Sequence, residues 1–183
     1  MGEKEGDYLA LLRGINVGGK NKLAMKDLAA VFEKAGCRAV RTHIQSGNVL
    51  FKAPAPLAGS LAGLAEKALL KGFGLKVPVV LRSAAQLKRA VEANPFVKAG
   101  ADPATLHVAF LSKEPERGAA ARLEADRSPG DSFELKGAEI HLRCPGGLAR
   151  SRLTNAYFDS RLGLVSTLRN WNTVRKLLEL LTA

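Results

Sequence analysis

The segment Leu11–Lys22, Leu-Leu-Arg-Gly-Ile-Asn-Val-Gly-Gly-Lys-Asn-Lys, gathers three glycines, two asparagines and three cations between an apolar run and a helical pattern. Backbone N–H groups in a glycine-rich turn can converge on an anion, and nearby cations add long-range attraction. The chemistry this suits is capture of a phosphate-like group, with Arg13, Asn16, Gly18, Gly19 and Lys20 as the cradle. Two familiar sites are excluded by spacing. Gly14, Gly18 and Gly19 miss the G-x-G-x-x-G pattern of a dinucleotide fold. Gly14 and Gly19 fit the G-x-x-x-x-G-K-[ST] pattern, but Lys20 is followed by Asn21. The hydroxyl that would hold magnesium is missing, so no NTPase is expected. The plain structural alternative is a strand-to-helix loop that needs glycine for positive φ.

A second polar cluster is Gln45-Ser46-Gly47-Asn48. It reads as a hairpin turn, and Gln45, Ser46 and Asn48 would also be displayed beside a glycine where a ligand can approach the backbone. A third comprises Arg150–Asn155 and Thr167–Thr173. Thr167 or Asn170 can cap a final helix, and a capped N-terminus beside Arg169 suits an anion. Arg169, Asn170 and Asn172 would close the site from there. Trp171, the one tryptophan, reads as a core anchor rather than a platform for stacked bases.

Catalytic groupings are weak. Cys37 has no base near it in sequence. Cys144 follows Arg143 and precedes Pro145-Gly146-Gly147, a setting that can lower a thiol pKa. Strand alternation, however, puts His141 and Arg143 on one side and Cys144 on the other. No carboxylate pair stands out, three histidines without tight spacing make no metal site, and no cofactor is implied. The catalytic residues are therefore left open.

These residues need elements to position them. Tyr8–Arg13 is a short buried strand; Met25, Leu28, Val31, Phe32 and Ala35 recur at helical spacing, with Gly36 as the stop. Residues 39–45 and 48–52 read as strands, 53–57 as a Pro/Ala linker and 57–70 as a helix. Residues 77–81 read as a fourth strand, with Pro78 suggesting a sheet edge. The order is β-α-β-β-α-β, a ferredoxin-like split unit. After a helix over 83–93, capped by Ser83 and broken at Asn94-Pro95, a strand over 106–111 follows. A helix over 115–125, a hairpin of 132–135 with 139–143, and helices over 151–161 and 170–181 complete the chain. The expected fold class is thus α+β. Two ferredoxin-like α/β sandwich units are predicted, β-α-β-β-α-β over 1–82 and β-α-β-β-α plus an extra C-terminal helix over 83–183. The halves share element order without a residue-level repeat that the eye can find.

The chain has 183 residues, 46% of them hydrophobic, enough for a real core. Its net charge of +11 favours acidic partners: a nucleotide, nucleic acid or a phosphorylated metabolite. The excess sits in two blocks. Residues 8–52 carry eight basic residues against Asp27 and Glu33, and residues 140–183 carry seven against Asp159 and Glu179. Aromatics at 5% argue against a surface for stacking single-stranded bases. The opening Met1–Asp7 has no apolar stretch, so no secretory signal is expected. No window approaches the roughly 20 apolar residues that span a bilayer. With only two cysteines, the expected location is a reducing cytoplasm.

The Tyr8–Gly19, Gln45–Val49 and Ser166–Thr173 segments together resemble a bacterial family, domain-of-unknown-function family 1697. Its members carry a Tyr-x-Ala-Leu-Leu-Arg-Gly-Ile-Asn-Val-Gly-Gly opening, an x-x-Gln-Ser-Gly-Asn-Val hairpin and an Ala/Ser-Thr-x-Arg-Asn-Trp-Asn-Thr helix start. The resemblance runs over about residues 7–181. It implies two α+β units with ferredoxin-like character, and it implies no activity and no catalytic residue.

Three readings of function fit these residues. The leading one is a binding protein for a phosphorylated ligand, nucleotide or nucleic acid, held by the Gly/Asn/basic loop. The second is an enzyme on a small phosphorylated or acidic substrate, with the same residues as electrostatic stabilisers. The third is a non-enzymatic module that binds another protein, or a second copy, through an edge strand. Whether a reaction is catalysed, and the oligomeric state, are left open by the sequence.

Overall fold

The apolar run near the start of the chain becomes the centre of a sheet. The computed structural model describes residues 5–183; Met1–Lys4, part of the opening segment read for a secretory signal, lie outside the described residues. Strand β1 (Glu5–Leu12) pairs antiparallel with β3 (Asn48–Pro54) on one side and β4 (Val79–Ser83) on the other, and β2 (Arg38–His43) joins the outer side of β3. The sheet order is β2-β3-β1-β4. Helices α1 (Met25–Lys34) and α2 (Ala55–Phe73) cover one face, with Leu28, Phe32, Leu61, Ala65 and Leu69 packed on Ala10, Leu12, Val49 and Phe51. Leu9, Leu11, Leu50 and Val80 on the other face are buried too, so β1 is apolar on both sides.

A second sheet repeats this plan. Strand β5 (Leu106–Leu111) lies between β7 (Glu139–Arg143) and β8 (Ser166–Asn170), with β6 (Ser132–Lys136) outside β7; the order is β6-β7-β5-β8. Helix α5 (Asn155–Leu162) packs Tyr157, Phe158 and Leu162 on Ala109, Leu111, Ile140 and Leu142. Between the sheets in sequence come α3 (Ala84–Glu92) and the single turn α4 (Pro95–Lys98), and α6 (Trp171–Thr182) closes the chain. Two compact units result, Met1–Leu87 with Leu177–Ala183, and Lys88–Lys176. The architecture is α+β, built on two four-stranded antiparallel sheets. No helix among the described residues is long and apolar enough to cross a membrane.

The register exposes a repeat that the letters conceal. Leu9 lies opposite Arg82 and Leu50 in the first sheet, and Val108 lies opposite Arg169 and His141 in the second. Arg82 and Arg169 therefore occupy the same place. Both are nearly buried, at 4% and 9% exposed, and both donate from Nη1 to the carbonyl of the residue before, Leu81 at 2.7 Å and Leu168 at 2.8 Å. The next residue in each case starts a helix. Ser83 Oγ accepts from Gln86 N–H while Gln86 Oε1 accepts from Ser83 N–H, a capping box, and Asn170 Oδ1 accepts from Thr173 N–H. Leu-Arg-Ser and Leu-Arg-Asn are one strand-to-helix device used twice.

Four expectations are corrected. The linker over 53–57 does not exist: β3 runs to Pro54 and α2 starts at Ala55. The helix over 115–125 reduces to a 3-10 turn, Ala119–Arg122, because Gly118 enters it at φ 83 and only Ala119 of its residues is buried. The helix expected from 151 begins at Asn155, where Thr154 Oγ1 accepts from Tyr157 N–H as its cap. The second unit has a fourth strand, β8, in a segment expected only as a helix start. Ser-Thr-Leu-Arg-Asn has little strand character of its own; it is a strand because it pairs with His107–Leu111 of the buried β5. Ser83 as helix cap, the break at Asn94-Pro95, and the hairpin of β6 with β7 all stand as read.

Candidate functional site

The glycine loop folds into a small hairpin of its own. Lys20 N–H donates to Val17 C=O at 3.1 Å and Asn16 N–H to Asn21 C=O at 3.2 Å. Gly18 and Gly19, at φ 59 and 75, are the two central residues of that turn, both in the left-handed region that a type I′ hairpin demands. Asn16 ties this miniature hairpin to the rest of the unit. Its Nδ2 donates to Leu23 C=O (2.9 Å) and Gln45 C=O (3.0 Å), and its Oδ1 accepts from Leu23 N–H (2.9 Å). One amide thus clamps the loop to its own exit and to the turn between β2 and β3. Removing three such bonds in Asn16→Ala should cost about 2 kcal/mol and loosen both loops. Chemical denaturation checks this; an unchanged midpoint would mean the clamp is not needed.

The clamp opens a cavity of about 460 Å³ lined by Asn16, Gly19, Lys22, Leu23, Ala24 and Gln45. Ala24 is the N-cap of α1 and has no side chain to cap it. Asp27 and Leu28 N–H both turn back to Ala24 C=O, whereas Met25 and Lys26 N–H find no acceptor among the described residues. An uncapped ten-residue helix therefore opens with its positive end beside this cavity. Asp27, in the first turn, is the one acidic side chain of that turn. Two chain neighbours of the lining residues are exposed and apolar: Val17 is 60% and Ile44 51% exposed, and Ile44, β-branched, sits at the strained φ of 51.

The expected residues fall into distinct roles. Asn16, Gly19 and Gln45 line the cavity together. Gly18 and Lys20 belong to the exposed miniature turn, and Arg13, half-buried, donates its N–H to Pro78 C=O. Asn48 is fully buried, and its Nδ2 donates to His43 C=O and Ser46 Oγ, so Asn48 and Ser46 knit the hairpin turn. Arg169, Asn170 and Asn172 lie in the second unit. Arg169 Nη1 also donates to Thr167 Oγ1 at 2.9 Å, and burial pulls its pKa down to about 10. Asn170 caps α6, Asn172 is exposed in its first turn, and Trp171 is buried, the anchor it was read to be. Sequence reasoning missed Lys22, Leu23 and Ala24 as lining residues. The signal for Ala24 was present: a strong helical pattern began at Met25 with no Ser, Thr, Asp or Asn before it.

Both cysteines are buried, and burial raises their thiol pKa values, that of Cys37 to about 11. Cys144 packs on the same core as Ile140 and Leu142, on the side away from His141, as strand alternation required. Neither thiol is disposed as a nucleophile. Among the described residues no cluster of His, Cys, Asp and Glu could hold a metal ion.

Comparison with known proteins places this geometry. Residues 6–141 match the family described as protein of unknown function (DUF1697). The chain belongs to the DUF1697 family. No curated protein matches it. Among solved structures it is similar to a conserved bacterial protein from Streptococcus pneumoniae, at 21% identity and a TM-score of 0.75, covering 98% of this chain and 100% of that one. That likeness extends the common fold of this DUF1697 chain over both units and carries no activity with it.

Proposed function

We propose that this DUF1697 protein binds a phosphorylated ligand, a nucleotide or a phosphodiester of nucleic acid, in the cavity beside the glycine loop. The observation that carries the reading is the uncapped N-terminus of α1 opening on a cavity that Lys22 and Gly19 also line. The free N–H groups of Met25 and Lys26 and the Lys22 ammonium are donors for one oxyanion. Asn16 and Gln45 supply polar contacts, and Arg13 and Lys20 raise the local potential. The net charge of +11 concentrates such ligands near the surface.

The test is a thermal-shift and calorimetric titration with nucleoside phosphates, phosphorylated metabolites and short oligonucleotides at low and physiological salt. A small phosphorylated compound should bind with little salt dependence, and Lys22→Ala should weaken it by roughly 10-fold, the value of one charge-assisted hydrogen bond. Binding confined to oligonucleotides, with a steep loss as salt rises, would transfer the function to a basic nucleic-acid face. Binding that ignores Lys22→Ala would remove this cavity from the function.

A further inference from the structure

A second cavity lies wholly within the other unit and shares no residue with the cavity beside α1. It has a volume of about 480 Å³ and is lined by Arg127, Thr154, Ala156, Tyr157, Ser160 and Arg161. Its wall is the ring of Tyr157, and two guanidinium groups face that ring, Arg127 Cζ at 5.0 Å and Arg161 Cζ at 5.8 Å from the centroid. The ring is held on both sides. Its edge packs in the core with Phe158, and its hydroxyl accepts from Glu124 N–H at 2.7 Å. Arg127 N–H in turn donates to Glu124 C=O at 3.1 Å, so the turn 124–127 is fastened to the tyrosine and delivers Arg127 to the cavity.

The charges there do not balance. Arg161 pairs with the Glu124 carboxylate, whereas the Arg127 guanidinium has no ion-pair partner among the described residues. Two like charges are thus held against one ring while one carboxylate pairs with only one of them, an excess of positive charge that an entering anion would offset. Two hydroxyls complete the lining. Thr154 Oγ1 accepts from Tyr157 N–H, which leaves its own proton to donate, and Ser160 Oγ donates to Tyr157 C=O. Two guanidiniums and a free hydroxyl donor suit the three outer oxygens of a phosphate better than a flat carboxylate. The volume is that of a small-metabolite site.

We propose that this cavity is a second anion site, independent of the glycine loop, which takes the phosphate group of a small phosphomonoester. Arg127 is its main ligand. Arg161 is shared between the ligand and Glu124, so Glu124 acts as a built-in competitor for the site.

Amide chemical-shift titrations of the full chain with phenyl phosphate, inorganic phosphate and a short oligonucleotide test this at physiological salt. Phenyl phosphate should perturb Thr154, Ala156 and Tyr157. Arg127→Gln should weaken that binding by at least about 5-fold, the loss of one charged hydrogen-bonding group. Glu124→Gln should tighten it by roughly 3-fold by releasing Arg161. Lys22→Ala should leave it unchanged, which separates this site from the cavity beside α1. Equal affinity for inorganic phosphate would confirm the anion site and assign the recognition to the phosphate alone. Binding seen only with the oligonucleotide would overturn the small-ligand assignment. An unchanged affinity in Arg127→Gln, or weaker binding in Glu124→Gln, would overturn the site itself.

Discussion

Gly47→Ala is expected to lower stability by about 3 kcal/mol and the melting temperature by roughly 6–12 °C. Two costs add at this residue. Its φ of 77 lies in the left-handed region, where a side chain costs about 1–2 kcal/mol. A methyl group would also stand 2.8 Å from Leu12 Cβ and 3.3 Å from Ile15 Cβ and Leu12 C=O. Those atoms belong to β1 and its continuation, so no flexible side chain can swing aside. Leu12 N–H is bonded to Gly47 C=O at 2.8 Å, which pins the two segments together. Gly18→Ala is the control. It shares a positive φ of 59 but has nothing within 4 Å of an added methyl, so it should lose only about 1 kcal/mol. Equal losses in the two variants would show that the contact with β1 is not what requires glycine. Because Gly47 also supports the turn carrying Gln45, its replacement should weaken ligand capture beside α1.

His141→Leu should make the protein more stable, and increasingly so as pH falls. His141 is 0% exposed, and neither ring nitrogen has a hydrogen-bond partner among the described residues. Burial pulls its pKa down from 6.5 to about 4, with Lys136 adding to the fall and Glu134 opposing it. The fold holds the imidazole neutral, while the unfolded chain takes up a proton near 6.5. Stability tied to His141 is therefore fully present above about pH 6.5, declines as pH drops towards 4, and is flat below that. The total is on the order of 3 kcal/mol. Leucine fits because the equivalent register position in the first sheet, opposite Leu9, is Leu50. At pH 7 the variant should gain about 1–2 kcal/mol from removal of two unpaired nitrogens, and near pH 4 the difference should grow by about 3 more. Parallel stability-versus-pH curves for the two proteins would exclude His141 as the source.

Much of this protein is legible from its letters, where local chemistry settles the outcome. Tyr8–Leu12 is apolar at every position after the first, a short run closed by glycine that reads as a buried strand, and β1 is one. The Met25–Ala35 periodicity, the Ser83 cap and the break at Asn94-Pro95 each rest on neighbours within four residues. So do the glycine turn and the Gln-Ser-Gly-Asn hairpin. Two of them, the glycine turn and the Gln-Ser-Gly-Asn hairpin, also carry the family resemblance and lie within the family match over residues 6–141.

Where partners are distant in sequence, only the tertiary structure decided. Strand β8 is Ser-Thr-Leu-Arg-Asn, polar enough to pass for a helix start, and it exists because β5 offers a buried edge along its length. The repeat of Arg82 and Arg169 rests in the letters on a Leu-Arg pair alone, too short to mark it, and only the shared register of the two sheets identifies it. The cavity beside α1 depends on Asn16 reaching Gln45, 29 residues away, and the second one on Tyr157 meeting the turn at Glu124. Sequence alone determined β1, α1, the β6–β7 hairpin and the Ser83 cap, since hydrophobic period and cap chemistry act over a few residues, whereas β8 and the 3-10 turn at Ala119–Arg122 did not follow from it. Which polar groups meet around each cavity was decided by sheet register and by long-range hydrogen bonds, which no local pattern encodes.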